Sequence, residues 1–232
     1  MKKVFGVLLL CVAVAAQGAS FKKVVGQSFP TVKVKDVLSG EEIDLSKVLA
    51  KDGVKGAVVF FTSTKCPVAV AYEERINQLV TKYAASVPFL ALNANSSEDA
   101  ASQTTYAKEK GFKFHVAMDK GSKIAKEIGA SCTPEFYLID KSGKVVFHGP
   151  LDDSQDTTQI TKHFLAGALE AVLAGKAIAA EDQEVQAFGC GIKFPKEDKT
   201  AKADHGAHGA REKAGDKHDH GHDQSHDHSK EK

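Results

Sequence analysis

Tryptophan is absent from the 232-residue chain and arginine nearly so, with Arg75 and Arg211 its only two. That scarcity matters wherever a reaction needs a planar guanidinium fork, which a lysine ammonium replaces in charge alone. Basic and acidic residues number 31 and 30, so the net charge is +1 and there is no bulk basic field to draw nucleic acid. One apolar run stands out, residues 4–16, and it falls short of the roughly twenty residues that span a bilayer. No other run is long enough, which predicts no stable membrane insertion once a leader is removed. Cysteine is sparse, at four, and the Cys-x-x-Cys that a zinc finger combines with His-x-x-x-His is missing.

What is present starts with an address. Residues 1–20 read as a secretory signal peptide: Lys2 and Lys3, the apolar run, then small residues up to Ser20. Cys11 falls inside it, preceded by Leu10 where a lipoprotein would carry a small residue. Export to the periplasm or the medium leaves Cys66, Cys132 and Cys190 in a compartment that permits disulfides. Three cysteines predict one pair and one free thiol.

Periodicity predicts an α/β fold, a central mixed β-sheet flanked by helices. Residues 31–37 alternate, Ser39-Gly40 turns, and residues 42–45 return as a partner strand, giving an N-terminal β-hairpin. A helical turn over 46–50 follows. Residues 57–63 and 88–95 are continuous apolar runs of the kind buried on both faces of a sheet. The segment 67–85 between them has helical spacing and forms a crossover. A helix capped by Ser96 or Ser97 runs to Lys110, a strand covers 115–119, and a short helix covers 122–128. Residues 136–140 and 145–148 spell a hairpin around Lys141-Ser142-Gly143, and 158–174 a last amphipathic helix. The chain divides into a domain over 21–178, an extension over 179–195 that bears Cys190, and a tail over 196–232. The tail has no apolar periodicity and is expected to be disordered.

Reactive chemistry is written most plainly at Cys66. The apolar strand ends in Thr62-Ser63-Thr64-Lys65, then Cys66 and Pro67 open a helix. Proline is favoured at the first helical position, so the sulfur sits just before it, beside the unbonded amides of the first turn. Those donors and the helix dipole favour a thiolate, and Lys65 adds a cation. A cysteine that merely filled the core would more often lie within 58–61. Ser63, with Thr62 and Thr64, is placed to hydrogen-bond the sulfur. His115, His148 and His163 are isolated and read as surface or half-buried histidines, and Asp152-Asp153 as a loop leading into the last helix.

A strand, Cys-Pro and helix, followed later by Cys132-Thr133-Pro134-Glu135-Phe136 leading another strand, resembles the thioredoxin superfamily. The resemblance is to its redoxin branch, which holds the alkyl hydroperoxide reductases and thiol-specific antioxidant (peroxiredoxin-like) proteins, and covers about residues 24–195. It implies a thioredoxin-like fold, with Pro134 cis and beside the reactive cysteine. The Gly-Cys-Gly-Ile-Lys close, residues 189–193, is similar to the end of secreted members of this group. Two departures carry weight. Position 69 is Ala, so a Cys-x-x-Cys shuttle is excluded. Ser63 and Cys66 match the peroxidatic motif, but Val59 stands in place of its proline and no arginine lies between Arg75 and Arg211 to hold a peroxide.

The resemblance then implies an exported thiol–disulfide oxidoreductase with Cys66 as nucleophile. If Pro134 faces Cys66, then Cys132, two residues earlier, comes within disulfide range and resolves the intermediate; Cys190 is the rival resolving thiol. Thiol peroxidase (antioxidant) activity is the alternative enzyme reading. The substrate is a thiol or disulfide, of a protein or a small molecule, with the reductant unassigned, and no cofactor is implied. A third reading, from another class, is a non-catalytic redoxin domain that handles metal through its tail. There His218, His220, His222, His226 and His228 alternate with Asp and would hold Zn, Ni or Cu loosely.

Overall fold

The computed structural model describes residues 22–196. The signal peptide assigned to 1–20 and the tail with its histidines lie outside the described residues. The chain opens with β1 (Lys33–Lys35) and β2 (Glu42–Asp44), an antiparallel hairpin with Val34 opposite Ile43. Asp44 caps α1 (Leu45–Ala50) by accepting from the Ser46 amide. Then come β3 (Gly56–Thr62), α2 (Pro67–Tyr83), β4 (Phe89–Asn93), α3 (Ala100–Glu109) and β5 (His115–Met118). After a 3-10 turn the chain continues through α4 (Lys123–Ile128), β6 (Cys132–Thr133), β7 (Glu135–Asp140), β8 (Val145–Gly149), α5 (Phe164–Leu173), α6 (Ala180–Gln183) and β9 (Cys190–Gly191).

Five strands make the central sheet in the order β5-β4-β3-β7-β8. The pairs β3–β4 and β4–β5 are parallel; β7 and β8 run antiparallel. The apolar run of β3 sits in the middle, and its alternation divides the core. Val58 and Phe60 face the side packed by Tyr72, Ile76 and Val80 of α2 and Leu165 and Leu169 of α5. Val59 and Phe61 face the side packed by Leu45 and Leu49 of α1 and Ile124 and Ile128 of α4. Phe60 stacks on Phe136 at 5.0 Å and meets Phe114 edge-on; truncating such a buried ring to Ala costs about 3–5 kcal/mol.

Two helix starts differ from the sequence reading. The N-cap of α3 is Asp99, which accepts from the Ser102 amide. Ser96 and Ser97 belong instead to the turn before it, where the Ser96 amide donates to the Lys193 carbonyl. The last long helix begins at Phe164, not near 158. Asp153 and Asp156 take the amides of Thr161 and Thr158, and such local side-chain bonds compete with helix formation.

The extension after Ile178 packs back on the domain. Glu184 accepts from the amides of Val24 and Val25, Val185 donates to the His148 carbonyl, and Ile192 is buried. Its β9 pairs antiparallel with β6, setting Cys190 opposite Thr133 and Gly191 opposite Cys132. Among the described residues the compact unit runs to Pro195. None of its helices is long and apolar enough to cross a membrane.

Candidate active site

Cys66 is the N-cap of α2, with Pro67 at the first helical position. Its sulfur accepts from the Ala69 amide at 3.5 Å and lies 3.0 Å from the Thr133 carbonyl, which the thiol form can bond. The Thr133–Pro134 peptide is cis, and it brings β6 and its carbonyl to the sulfur. Burial alone would raise the Cys66 pKa. Hydrogen bonds from the Cys190 thiol, the Thr133 side chain and the amides of Ala69 and Cys190 outweigh it and hold the pKa below the ordinary thiol value. The opposite side of that contact is consistent. Donating to Cys66 raises the Cys190 pKa, with burial and the Cys66 charge adding to it. Ionisation is thus favoured at Cys66 and disfavoured at Cys190. Both thiols are free, with Cys66 buried and Cys190 half-exposed.

Cys132 has a different environment. Its sulfur is 3.6 Å from Glu135 Oε2. Burial, then the charge and the hydrogen bond of Glu135, push its pKa up to about 12. A thiol so held is a poor nucleophile at neutral pH. The structure thus brings Pro134 and Cys190 to Cys66 and turns the Cys132 thiol toward a carboxylate.

Ser63 and Lys65 act on the loop, not on the sulfur. Ser63 Oγ donates to Glu98 Oε1 and accepts from the Lys65 amide. Lys65 Nζ donates to the Ser97 carbonyl at 2.9 Å. Glu98, in the turn before α3, is the organiser here. Its carboxylate accepts from Ser63 Oγ, from the amide and hydroxyl of Thr64, and from Asn93 Nδ2. Burial raises its pKa, but those donors win and lower it. The strand-to-helix loop that presents Cys66 is thereby pinned to the end of β4.

The extension closes over the same loop from the other side. Lys193 donates its amide to Asn95 Oδ1, and Ile192 donates to the Ser131 carbonyl. Gly189 makes this approach fit. A Cβ there would sit 2.0 Å from the Thr133 carbonyl oxygen and 3.3 Å from Pro134 Cδ. Phe188 meets the Tyr72 ring edge-on at 6.5 Å. As a result Cys66 keeps 1% of its exposure.

Behind the cis-proline loop lies a buried carboxylate that the sequence reading passed over, Glu135. It accepts from the amides of Ser131 and Cys132, from Tyr137 Oη at 2.6 Å and from His148 Nε2 at 2.7 Å. Burial raises its pKa, while the His148 and Tyr137 bonds and the Ser131 amide lower it overall. The signal available in the sequence is a Glu opening an otherwise apolar strand, Glu-Phe-Tyr-Leu-Ile. His148 is 3% exposed, so it is more deeply set than a half-buried strand histidine. His115 and His163 each face one carboxylate, Asp36 and Asp152. Arg75, the one arginine among the described residues, binds Asp152 and the carbonyls of Ser154 and Gln155. No group of three or more His, Cys, Asp or Glu side chains among the described residues could hold a metal ion.

Comparison with known proteins places these features in a family. Thiol-disulfide oxidoreductase ResA of Bacillus thuringiensis (strain Al Hakam) is 34% identical over 126 residues, 54% of this chain and 69% of that protein. A ResA of Bacillus cereus is 32% identical over 159 residues, covering 63% and 88%. Among solved structures, an uncharacterized conserved protein from Geobacillus kaustophilus superposes with a TM-score of 0.69 at 26% identity, over 77% of this chain and 95% of that one. A hypothetical protein from Sinorhizobium meliloti 1021 gives 0.68 at 26% identity, over 76% and 97%. The AhpC/TSA family model matches residues 25–148. The chain therefore belongs to the AhpC/TSA family, within the thioredoxin-like oxidoreductases.

Proposed function

We propose that the protein is an exported thiol–disulfide oxidoreductase whose redox pair is Cys66 and Cys190. The observation that carries the reading is the β6–β9 ladder, which sets Cys190 opposite Thr133, the residue whose carbonyl lies 3.0 Å from the Cys66 sulfur at the start of α2. The Cys66 thiolate attacks one sulfur of a substrate disulfide, forms a mixed disulfide, and releases the substrate's other sulfur as a thiolate. Cys190 then loses its proton and attacks the Cys66 sulfur. The Cys66–Cys190 disulfide forms, the second substrate sulfur leaves, and two electrons have passed to the substrate. A dithiol reductant, by the reverse steps, restores the pair. Because Cys66 keeps 1% of its exposure, the extension lifts before a protein disulfide reaches it.

Cys190 rather than Cys132 takes the resolving role, since Cys132 is held as a thiol beside Glu135. Disulfide exchange is preferred to peroxide reduction because Arg75 is committed to Asp152 and its loop, leaving no guanidinium to hold a peroxide among the described residues. The substrate class is a disulfide of a protein or small molecule, outside the cytoplasm. The ResA proteins named above support disulfide exchange as the activity; loose metal binding by the tail is a separate property that the exchange does not need.

The test is peptide mapping of the oxidised, non-reduced protein by mass spectrometry. The expected cross-link joins Cys66 to Cys190, with Cys132 alkylated only after denaturation. A Cys66–Cys132 bridge overturns the assignment.

A further inference from the structure

Two carboxylates and one imidazole, buried at Glu135 and His148 and half-buried at Glu184, form a chain that disulfide exchange does not itself use. His148 stacks on Tyr137 at 4.6 Å, and each ring nitrogen faces a carboxylate oxygen: Nε2 to Glu135 at 2.7 Å, Nδ1 to Glu184 at 3.4 Å. The two carboxylates come from the two segments that meet at the redox pair. Glu135 follows Pro134 and takes the amides of Ser131 and Cys132, so it fixes the start of β6. Glu184 lies in the extension and takes the amides of Val24 and Val25. Next to it, Val185 donates to the His148 carbonyl at 2.8 Å. Only residues 186–189 separate that anchor from Cys190, a reach of about 3.3–3.6 Å per residue at full extension.

Buried ionic groups are weak evidence for stability, because desolvation offsets most of their attraction; fixing a register is their best-attested use. Here the register at stake is visible. On the β6–β9 ladder Cys190 is opposite Thr133, and successive residues of a strand point to opposite faces. A slip of one residue would turn Cys190 away from Cys66. We infer that Glu135, His148 and Glu184 act as one positioning relay, which sets β9 on β6 and so keeps the Cys190 sulfur on Cys66. None of the three touches the reacting sulfurs of Cys66 and Cys190; they act through the ladder. The inference rests on the Cys66–Cys190 reading above.

The test uses the full mature chain and two readouts. One is the Cys66–Cys190 disulfide equilibrium in a glutathione redox buffer. The other is the pH profile of Cys66 alkylation by iodoacetamide. Glu184→Ala should lower the disulfide equilibrium constant at least about tenfold through lost effective concentration, and should move the Cys66 profile to higher pH because the Cys190 donor is lost. Glu184→Gln keeps an acceptor oxygen and should recover most of both. His148→Phe should act as Glu184→Ala does; if it fails to fold, the half-buried Glu184 still decides. A folded Glu184→Ala protein with both readouts unmoved, or lower thermal stability with an unmoved Cys66 profile, overturns the relay. So does a Gln variant no better than Ala. A wild-type protein that never forms the Cys66–Cys190 disulfide instead removes the reading beneath it.

Discussion

Cys132 and Cys190 lie within one residue of each other across the same two-stranded ladder, yet their sulfurs meet opposite environments. Cys132 is next to Thr133 in sequence and faces a buried carboxylate; Cys190 is opposite Thr133 in space, the residue whose carbonyl lies against the Cys66 sulfur. Burial and the Glu135 charge raise the Cys132 pKa to about 12. Cys190 is raised too, but chiefly by its hydrogen bond to Cys66, with burial second. Closeness in sequence to Pro134 is therefore a poor guide to a thiol's environment. The pleat sets that environment, since neighbours along a strand point to opposite faces.

Removing each thiol in turn breaks the comparison most sharply. Cys190→Ser should accumulate a mixed disulfide on Cys66 and lower turnover of a model disulfide by about a hundredfold or more, since nothing else releases the intermediate. Cys132→Ser should turn over within about twofold of wild type, because a group held neutral beside a carboxylate contributes little nucleophile. Counting free thiols after one and after many equivalents of substrate separates the two. Trapping by Cys132→Ser with free turnover by Cys190→Ser would reverse the roles.

The same contrast marks how far the sequence can be read. The sheet is legible because β3 and β4 are continuous apolar runs and β7–β8 carries a Ser-Gly turn. The position of Cys66 before Pro67 is legible because helix starts have local rules. The starts of α3 and α5 fall later than the sequence suggests, since Asp99, Asp153 and Asp156 each take nearby amides. Glu98 is not legible as an organiser, because its donors Ser63 and Thr64 lie 35 and 34 residues away; Glu135 takes nearer donors, Ser131, Cys132, Tyr137 and His148, which the cis-proline turn and the β7–β8 hairpin fold onto it. Ser63 is expected at the sulfur; Glu98, 35 residues on, draws it off. Pairing of β6 with β9, which aims Cys190, joins residues 57 apart, as at Thr133 and Cys190, and leaves no periodic trace in two-residue strands.

Gly189 tests whether the ladder itself positions Cys190. Its φ of 154° and its approach to Thr133 leave no room for a side chain, since a Cβ would lie 2.0 Å from the carbonyl oxygen. Gly189→Ala must push β9 off β6, at about 1–3 kcal/mol for the forced displacement. The expected result is a protein with its core intact, about tenfold slower resolution, and a Cys66 alkylation profile shifted to higher pH as the Cys190 thiol and amide donors withdraw. Stopped-flow alkylation at several pH values measures the shift. An unchanged profile would mean that the Ala69 amide and the Thr133 side chain alone hold the thiolate.

The smallest effect should come from Glu135→Gln, which asks how much of the silence of Cys132 is charge. Burial is the first cause of its raised pKa and the Glu135 charge the second. Removing the charge should bring the Cys132 pKa down from about 12 yet leave it above the ordinary thiol range. Iodoacetamide alkylation against pH, in a Cys66→Ser, Cys190→Ser background, reads that single thiol. The substitution also changes acid stability in a defined direction. The folded pKa of Glu135 lies below its ordinary value of 4.5, so the ionised group stabilises the fold above that value. The contribution is lost as pH falls through the lower folded pKa. Glu135→Gln should therefore be less stable than wild type at neutral pH, with the gap narrowing on acidification, as denaturant unfolding between about pH 7 and pH 3 would show. If Cys132 in this variant titrates as an ordinary cysteine, the carboxylate and not burial is what separates it from Cys190.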